Sequence, residues 1–177
     1  MPCFTVGHSN RGIEELTALL AAADIGMVAD VRKIPRSAAH PQFNADTLAA
    51  ALARSKISYQ WIEALGGRRP KSRNIPPEVN AFWNHQSFHN YADYALSDEF
   101  RAALERLLEV SHRQRCAIMC SEALWWRCHR RIIADHLIAR GETVTHIMAA
   151  GRLVPARLTA AAVIQPDGTV CYPRADR

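Results

Sequence analysis

The sequence predicts an α/β protein, a single-domain three-layer sandwich with a mostly parallel central sheet. Short apolar strand patterns alternate with amphipathic helix patterns along the first half of the 177 residues. This strand–helix–strand order favours parallel strands joined by right-handed crossovers. The length suits one domain, and a hydrophobic content of 49% is enough for a buried core.

The first half contains three strand patterns and two helix patterns. Apolar residues recur within the first helix at the spacing of a single helix face. Asn10 and Asp46 are the residue types that cap helices, so each is predicted to begin one of them. The strands are predicted at residues 4–6, 27–29 and 59–62, and the helices at 13–23 and 46–54.

A basic, Gly- and Pro-rich loop at residues 66–77 separates the two halves. Loops of this length in a compact domain are usually functional or disordered. Ser97 is predicted to cap a long helix that ends at Arg113. The remaining predictions are helices at 87–95 and 128–140, strands at 116–119 and 143–148, and an edge hairpin formed by 162–164 and 170–172.

Charge and cysteine content restrict the environment of the protein. The formal net charge is +5, and 19 of the 22 basic residues are arginine. A guanidinium-rich surface suits phosphate, carboxylate or nucleic-acid partners, although the coding bias of a GC-rich genome produces the same composition. Five cysteines and no leader-like N-terminus predict reduced thiols in a cytoplasmic protein. No apolar run is long enough for a membrane span, so a membrane partner is not expected.

Polar clusters directly follow four of the predicted strands. In a parallel sheet, the carboxyl ends of the strands share one edge, which is where open α/β sheets bind their ligands. We therefore expect the clusters to form one site. They are Gly7–Asn10, Asp30–Ser37, Glu63 with Gly66–Arg69, and Cys120–Arg131.

The last cluster is the richest in reactive groups. Cys128, His129 and Arg130 are predicted in the first turn of a helix, where free N–H groups attract anions and lower the pKa of a thiol. Cys120 and Glu122 could supply a nucleophile and a general acid or base. The alternative is structural: the thiols pack inward, and Glu122 pairs with an arginine.

Candidate roles follow from residue chemistry at this edge. Asp30 with Arg32 has a structural alternative, a buried ion pair that only positions the turn. Arginines of the loops are the natural clamps for phosphate or carboxylate. The catalytic candidates are His8, Asp30, Glu122, Cys128 and His129. The substrate-binding candidates are Ser9, Asn10, Arg32, Arg36, Arg68 and Arg130.

An ordered set of motifs resembles the bacterial family known as domain of unknown function 488. The resemblance spans nearly the whole chain and implies an α/β fold, but no activity or cofactor. The pair Trp125–Trp126 departs from it, because more polar residues are expected there. The matching motifs are Gly7–Asn10, Asp30–Arg32, Pro35–Ser37, Phe43–Asn44, Leu65–Arg68, Cys120–Glu122, Cys128–Arg130 and His146–Ile147.

Several familiar sites are disfavoured by spacing. Cys120, Cys128 and His129, completed by His8, could bind zinc, but they lack the close Cys pair of structural zinc sites. Walker and dinucleotide glycine patterns are absent from the sequence. Three functions remain: an enzyme acting on an anionic substrate such as a nucleotide or nucleic acid, a non-catalytic nucleic-acid-binding module, and a metal-binding protein. The first is favoured, and no oligomeric state follows.

Overall fold

The computed structural model describes residues 1–175 and contains a six-stranded central sheet. The strand order is β3-β2-β4-β1-β5-β6. The first five strands run parallel, and only the last pairs antiparallel with its neighbour among the described residues. The predicted mostly parallel α/β fold is therefore confirmed. The strands are β1 (Cys3–Gly7), β2 (Met27–Asp30), β3 (Ser58–Trp61), β4 (Cys116–Cys120), β5 (Val144–Ala149) and β6 (Arg152–Pro155).

Helices cover both faces of the sheet. Because side chains alternate along a strand, Phe4 packs with the helices of one face and Cys3 belongs to the core on the other face. The three predicted layers are thus present. None of the helices within residues 1–175 has the length and apolarity to cross a lipid bilayer. On the first face lie α1 (Ile13–Ala22) and α2 (Ala45–Arg54), and on the second α3 (Gln86–Tyr94), α4 (Asp98–Arg113) and α5 (Arg130–Ala139).

One of the three predicted helix caps is confirmed. The Ser97 hydroxyl accepts a hydrogen bond from the Phe100 N–H at 3.2 Å. Asp46 lies inside the first turn of α2, so the prediction that it caps this helix is wrong. Asn44 occupies the cap position, but its Oδ1 accepts the N–H of Ser37 instead. Asn10 is also not a cap, because α1 begins after Gly12 and has no side-chain cap.

The segment between β4 and α5 differs from its prediction. A short 3₁₀ turn at Trp125–Arg127 precedes Cys128, whose backbone is extended at φ −124° and ψ 148°. An extended residue cannot belong to a helical turn, so α5 begins at Arg130 and His129 is its cap residue. Of the three residues predicted in the first helical turn, only Arg130 lies there.

The C-terminal region contains one strand that the sequence did not reveal. β6 pairs with β5 through a tight turn and forms the edge of the main sheet. The predicted hairpin exists as β7 (Val163–Ile164) and β8 (Val170–Cys171), with Gly168 in the turn at φ +82°. Because β6 already occupies the edge, the hairpin forms a separate two-stranded sheet, and its predicted position was wrong.

Strand order places three loop-bearing strand ends side by side. β4 lies between β1 and β2, with Gly7 opposite Cys120 and Asp30 opposite Met119. The loops that follow β1, β2 and β4 therefore leave the same edge of the sheet at adjacent positions. This is the edge at which the sequence predicted a site.

Candidate active site

An open cavity of about 760 Å³ lies at the C-terminal edge of the sheet. Its volume is in the range of pockets that hold small organic ligands. The loops after β1, β2 and β4 contribute to it, as do the basic loop and α3. The predicted convergence of the polar clusters is thus seen in the structure, while the chemical roles of the residues stay predictions. The candidates that line the cavity are His8, Ser9, Asn10, Arg32, Arg36, Arg68, Glu122 and His129.

The loops after β1 and β4 are held tightly together. The His8 N–H donates to the Cys120 carbonyl and the Ser9 N–H to the Ser121 carbonyl, both at 2.9 Å. A Cβ atom at Gly7 would lie 2.0 Å from the carbonyl oxygen of Glu122, so only glycine fits there. Ser9 has a positive φ of 50°, which is unfavourable for a residue with a side chain. Backbone strain of this kind is concentrated at functional sites.

Asp30 forms a buried ion pair with Arg32. Its carboxylate accepts hydrogen bonds from the Arg32 guanidinium, the shortest at 2.6 Å, and from the Tyr59 hydroxyl at 2.6 Å. Asp30 is fully buried and does not line the cavity, whereas Arg32 does. Burial and the adjacent carboxylate raise the pKa of Tyr59 above its usual value. The geometry makes Asp30 a positioning residue for Arg32 rather than a group that touches a substrate.

His8 is neutral at physiological pH. Its Nδ1–H donates to the Ser9 carbonyl at 2.9 Å, which leaves Nε2 to accept from Arg32 Nη1 at 3.4 Å. The ring also stacks on Phe43, with centroids 4.1 Å apart. Burial, helped by the positive charge of Arg32, lowers the pKa of His8 to about 4. Because its free lone pair already faces a guanidinium, His8 is better placed to orient Arg32 than to remove a proton.

Cys120, Cys128 and His129 form a thiol–imidazole cluster. Their sulfur and ring nitrogen atoms lie within 4.8 Å of one another. His129 Nε2–H donates to the Val31 carbonyl at 2.9 Å, so Nδ1 carries a free lone pair. That nitrogen is 3.6 Å from Cys128 Sγ and 4.0 Å from Cys120 Sγ. Cys120 and His129 line the cavity, while Cys128 lies behind them with 4% of its surface exposed.

Arg130 is buried beside this cluster and does not line the cavity. Its guanidinium donates to the Glu122 carbonyl, to Thr5 Oγ1 at 3.4 Å and to Cys128 Sγ at 3.3 Å. With 1% of its surface exposed, Arg130 lies behind the cavity wall, and its predicted role in substrate binding stays a prediction. The first turn of α5 points this side chain inward, where it supports the cluster and the loop after β4.

The buried guanidinium of Arg130 lies beside two thiols whose pKa values shift in opposite directions. No carboxylate within residues 1–175 pairs with Arg130, and a buried cation requires a nearby negative charge. Burial opposes ionisation of Cys128, but the neighbouring Cys120 thiol and the charge of Arg130 lower its pKa to about 6. The proximity of Cys128, together with burial, raises the pKa of Cys120 to about 12. The pKa values of the two thiols therefore shift in opposite directions, and Cys128 is the one that ionises more readily.

Three arginines around the cavity, Arg36, Arg68 and Arg127, form what we call the arginine rim. All three are exposed, and none has an ion pair or side-chain hydrogen bond to another residue of the described chain. Arg68 also has a positive φ of 58°. Among residues 1–175, Glu122 is the one carboxylate that lines the cavity, and its Oε1 accepts the Leu124 N–H at 3.0 Å. The cavity is therefore strongly cationic.

Arg127 and Tyr91 line the cavity but were not predicted as site residues. Arg127 belongs to the rim. Tyr91 of α3 contacts the edge of His129, with ring centroids 5.0 Å apart, and its hydroxyl donates to the Leu65 carbonyl at 2.6 Å. An aromatic residue on an amphipathic helix normally indicates core packing, so only the tertiary fold could identify Tyr91.

The family model described as "Domain of unknown function DUF488" matches residues 12–137, more than two thirds of the chain. No curated protein and no solved structure matches the chain. The matched range includes Arg32, the arginine rim and the thiol–imidazole cluster, but it begins after His8.

Proposed function

We propose that this chain, which belongs to the family described as Domain of unknown function DUF488, is an enzyme acting on a phosphate-bearing substrate. The substrate would bind in the cavity at the C-terminal edge of the sheet. A nucleotide or the end of a nucleic acid strand is the substrate class that best combines negative charge with this cavity size.

The observation that carries this proposal is the arginine rim. Three guanidinium groups face one cavity without a partner in residues 1–175, so no internal carboxylate competes for them. Arginine binds phosphate oxygens in a bidentate manner, and a hydrogen bond between charged groups contributes about 1.5–3 kcal/mol. Arg32, whose charge is paired with Asp30, adds guanidinium N–H groups deeper in the wall.

Apolar side chains at the same cavity support a substrate larger than phosphate. Phe88 and Ile34 line it, and Ile34 leaves 60% of its surface exposed. An exposed apolar side chain beside a cationic rim suits the base or sugar of a nucleotide, because ligand sites combine apolar walls with a few fixed polar groups. The reactive groups at the wall are the thiol–imidazole cluster and Glu122.

Glu122 is the candidate for proton transfer. It is the single carboxylate among the described lining residues, and the Leu124 N–H fixes one of its oxygens at 3.0 Å. A carboxylate held in this way can accept a proton from water or return one to a leaving group. His8 and Asp30, proposed from the sequence for catalysis, would instead position Arg32.

Ligand binding tests the first half of the proposal. Inorganic phosphate, AMP and a short single-stranded oligodeoxynucleotide are titrated into the protein by calorimetry. Replacing Arg36, Arg68 or Arg127 with Gln should weaken the binding of the best probe by about tenfold each. The matched control is Arg54→Gln, because Arg54 is exposed at the far end of α2. If all four variants bind like the unmodified protein, the cavity is not a phosphate site.

Turnover tests the second half. A panel of phosphate esters and nucleotides is screened for product release, and any activity found is measured again in Glu122→Gln. We expect the rate to fall by 10²-fold or more, the contribution of a positioned acid or base, while the affinity from calorimetry is retained. If the probes bind with measurable affinity but none is turned over, the chain is a binding protein rather than an enzyme.

A non-catalytic nucleic-acid-binding module is the second candidate, and one exposed aromatic residue favours it. Trp126 leaves 45% of its surface exposed directly before Arg127, as in proteins that stack a base beside a phosphate contact. Trp125 is not available for this, because its ring already stacks on His146 at 4.4 Å. Such a module requires an affinity that rises with oligonucleotide length and is lost in Trp126→Ala. Binding of AMP as tight as that of the oligonucleotide favours the enzyme.

A further inference from the structure

We infer that Cys120, Cys128 and His129 bind one soft divalent cation, with Zn²⁺ as the best fit, at the wall of the cavity. The binding of the cation follows from the thiol–imidazole cluster itself. Its use in catalysis rests on the proposed enzyme function. A bound cation would give the cavity a defined reactive group, which the arginine rim alone does not supply.

The distances within the cluster are close to those of a tetrahedral zinc site. With Zn–S bonds of about 2.3 Å and Zn–N bonds of about 2.1 Å, a tetrahedral angle separates a sulfur from a nitrogen ligand by about 3.6 Å. The observed distances from His129 Nδ1 are 3.6 Å to Cys128 Sγ and 4.0 Å to Cys120 Sγ. The two sulfurs lie within 4.8 Å of each other, against about 3.8 Å for two such ligands. Small side-chain rotations would close the site.

The imidazole already has the tautomer and orientation of a metal ligand. His129 Nε2–H is donated to the Val31 carbonyl, so the lone pair on Nδ1 faces both sulfurs. Ligating histidines almost always donate their other ring N–H to a carbonyl or carboxylate in this way. Two thiolates and one imidazole form a soft donor set, which selects zinc over magnesium or calcium.

Arg130 supplies the outer support for such a site. Its Nε–H donates to Cys128 Sγ at 3.3 Å, and a thiolate bound to a metal commonly keeps one such hydrogen bond. A divalent cation with two thiolates has no net charge, so the negatively charged group nearest to Arg130 would remain the Cys128 sulfur that it already contacts.

The fourth coordination position would face the cavity. Three protein ligands are one fewer than a structural zinc site uses, and catalytic sites keep this position for water or substrate. Cys120 and His129 both line the cavity, so the position is open toward the arginine rim. A phosphate held by the rim would present its oxygens to the same side of the cavity as the cation.

The wide spacing of the ligands argued against zinc at the level of sequence. Close Cys pairs are needed where a short loop alone must form the site. Here the sheet and the fold of the loop bring the ligands together: Cys120 ends β4, and the 3₁₀ turn at Trp125–Arg127 returns the chain to Cys128. Gly7 permits this by allowing the loop to lie directly on β1.

Cobalt titration tests the site directly. Reduced protein without a His tag is stripped with a chelator and titrated with Co²⁺, and bound cobalt is followed by its thiolate-to-metal charge-transfer absorption. We expect one equivalent to bind and Zn²⁺ to displace it. Cys120→Ser, Cys128→Ser and His129→Gln should each weaken affinity by at least about tenfold. The matched control is Cys171→Ser, because Cys171 lies outside the cluster. This variant should bind cobalt with unchanged affinity.

Alkylation of the unmodified protein serves if a variant fails to fold. With Zn²⁺ present, Cys120 and Cys128 should resist iodoacetamide, and removal of the cation should speed alkylation of the pair, as read by mass spectrometry. The inference is wrong if the reduced protein takes up no Co²⁺ or Zn²⁺, or if the two thiols only form a disulfide on oxidation. Calorimetry with phosphate on the metal-free protein then shows separately whether the phosphate site exists.

Discussion

Replacing Asp30 with Asn separates a positioning role from a catalytic one. The exchange keeps the shape of the side chain but removes the negative charge that pairs with Arg32. Asp30 is fully buried and Arg32 is 5% exposed, so solvent cannot compensate for the lost charge. The new amide would also present an N–H₂ group to one of the two donors, the Arg32 guanidinium or the Tyr59 hydroxyl.

Breaking a buried ion pair by removing one partner costs about 3–5 kcal/mol. Domains have a total free energy of unfolding of about 5–15 kcal/mol, so the variant should fold but be much less stable. With a urea m-value of about 2 kcal/mol/M, a loss of 4 kcal/mol lowers the unfolding midpoint by about 2 M. The midpoint is measured by tryptophan fluorescence in urea.

Asp46→Asn is the matched control, because Asp46 is exposed in the first turn of α2. Its loss should cost only about 0.3–1 kcal/mol through the helix dipole. Arg32→Met completes a double-mutant cycle. The variant lacking both charges should lose clearly less free energy of unfolding than the sum of the losses in the two single variants. Equal midpoints for Asp30→Asn and the control, or a strictly additive cycle, would refute a buried stabilising pair.

Three further changes have defined outcomes. Gly7→Ala places a Cβ atom 2.0 Å from the Glu122 carbonyl oxygen. We therefore expect urea denaturation to show that the free energy of unfolding falls by about 1–3 kcal/mol. Tyr91→Phe removes the hydroxyl that donates to the Leu65 carbonyl, which should cost about 1–3 kcal/mol and weaken phosphate binding measured by calorimetry. Burial lowers the pKa of His136 to about 4, below its unfolded value of about 6.5. The unfolded chain then binds the extra proton, so His136 alone should lower the free energy of unfolding by up to about 1.4 kcal/mol per pH unit between pH 6.5 and 4, and His136→Leu should remove this part of the slope.

Each of these changes has a control of the same kind. Gly12→Ala should be tolerated, because the atom nearest to its new Cβ would be 3.7 Å away. Tyr94→Phe removes a hydroxyl bonded to the neighbouring Ala64 carbonyl but lies outside the cavity lining, so it should not alter phosphate binding. His85→Leu changes an exposed histidine and should keep the acid slope. An effect as large in a control as in its test variant would contradict the corresponding prediction.

Local signals placed most elements of the fold. The apolar spacing of α1 and the Ser97 cap of α4 depend on neighbouring residues alone, so the sequence was sufficient for both. Asn44 illustrates the opposite case, because its side chain bonds to Ser37 rather than to its own helix. β6 was missed because an exposed edge strand has little apolar pattern.

The sequence by itself determined the edge of the sheet at which the cavity lies. Polar residues that directly follow parallel strands must meet, because the strand ends share one edge. Only the tertiary structure decided which side chains face the cavity. The inward turn of Arg130, the place of Cys128 behind His129 and the approach of Tyr91 from α3 depend on contacts between distant segments. Local pattern cannot encode such contacts, since the same residues in the same order could equally point to solvent.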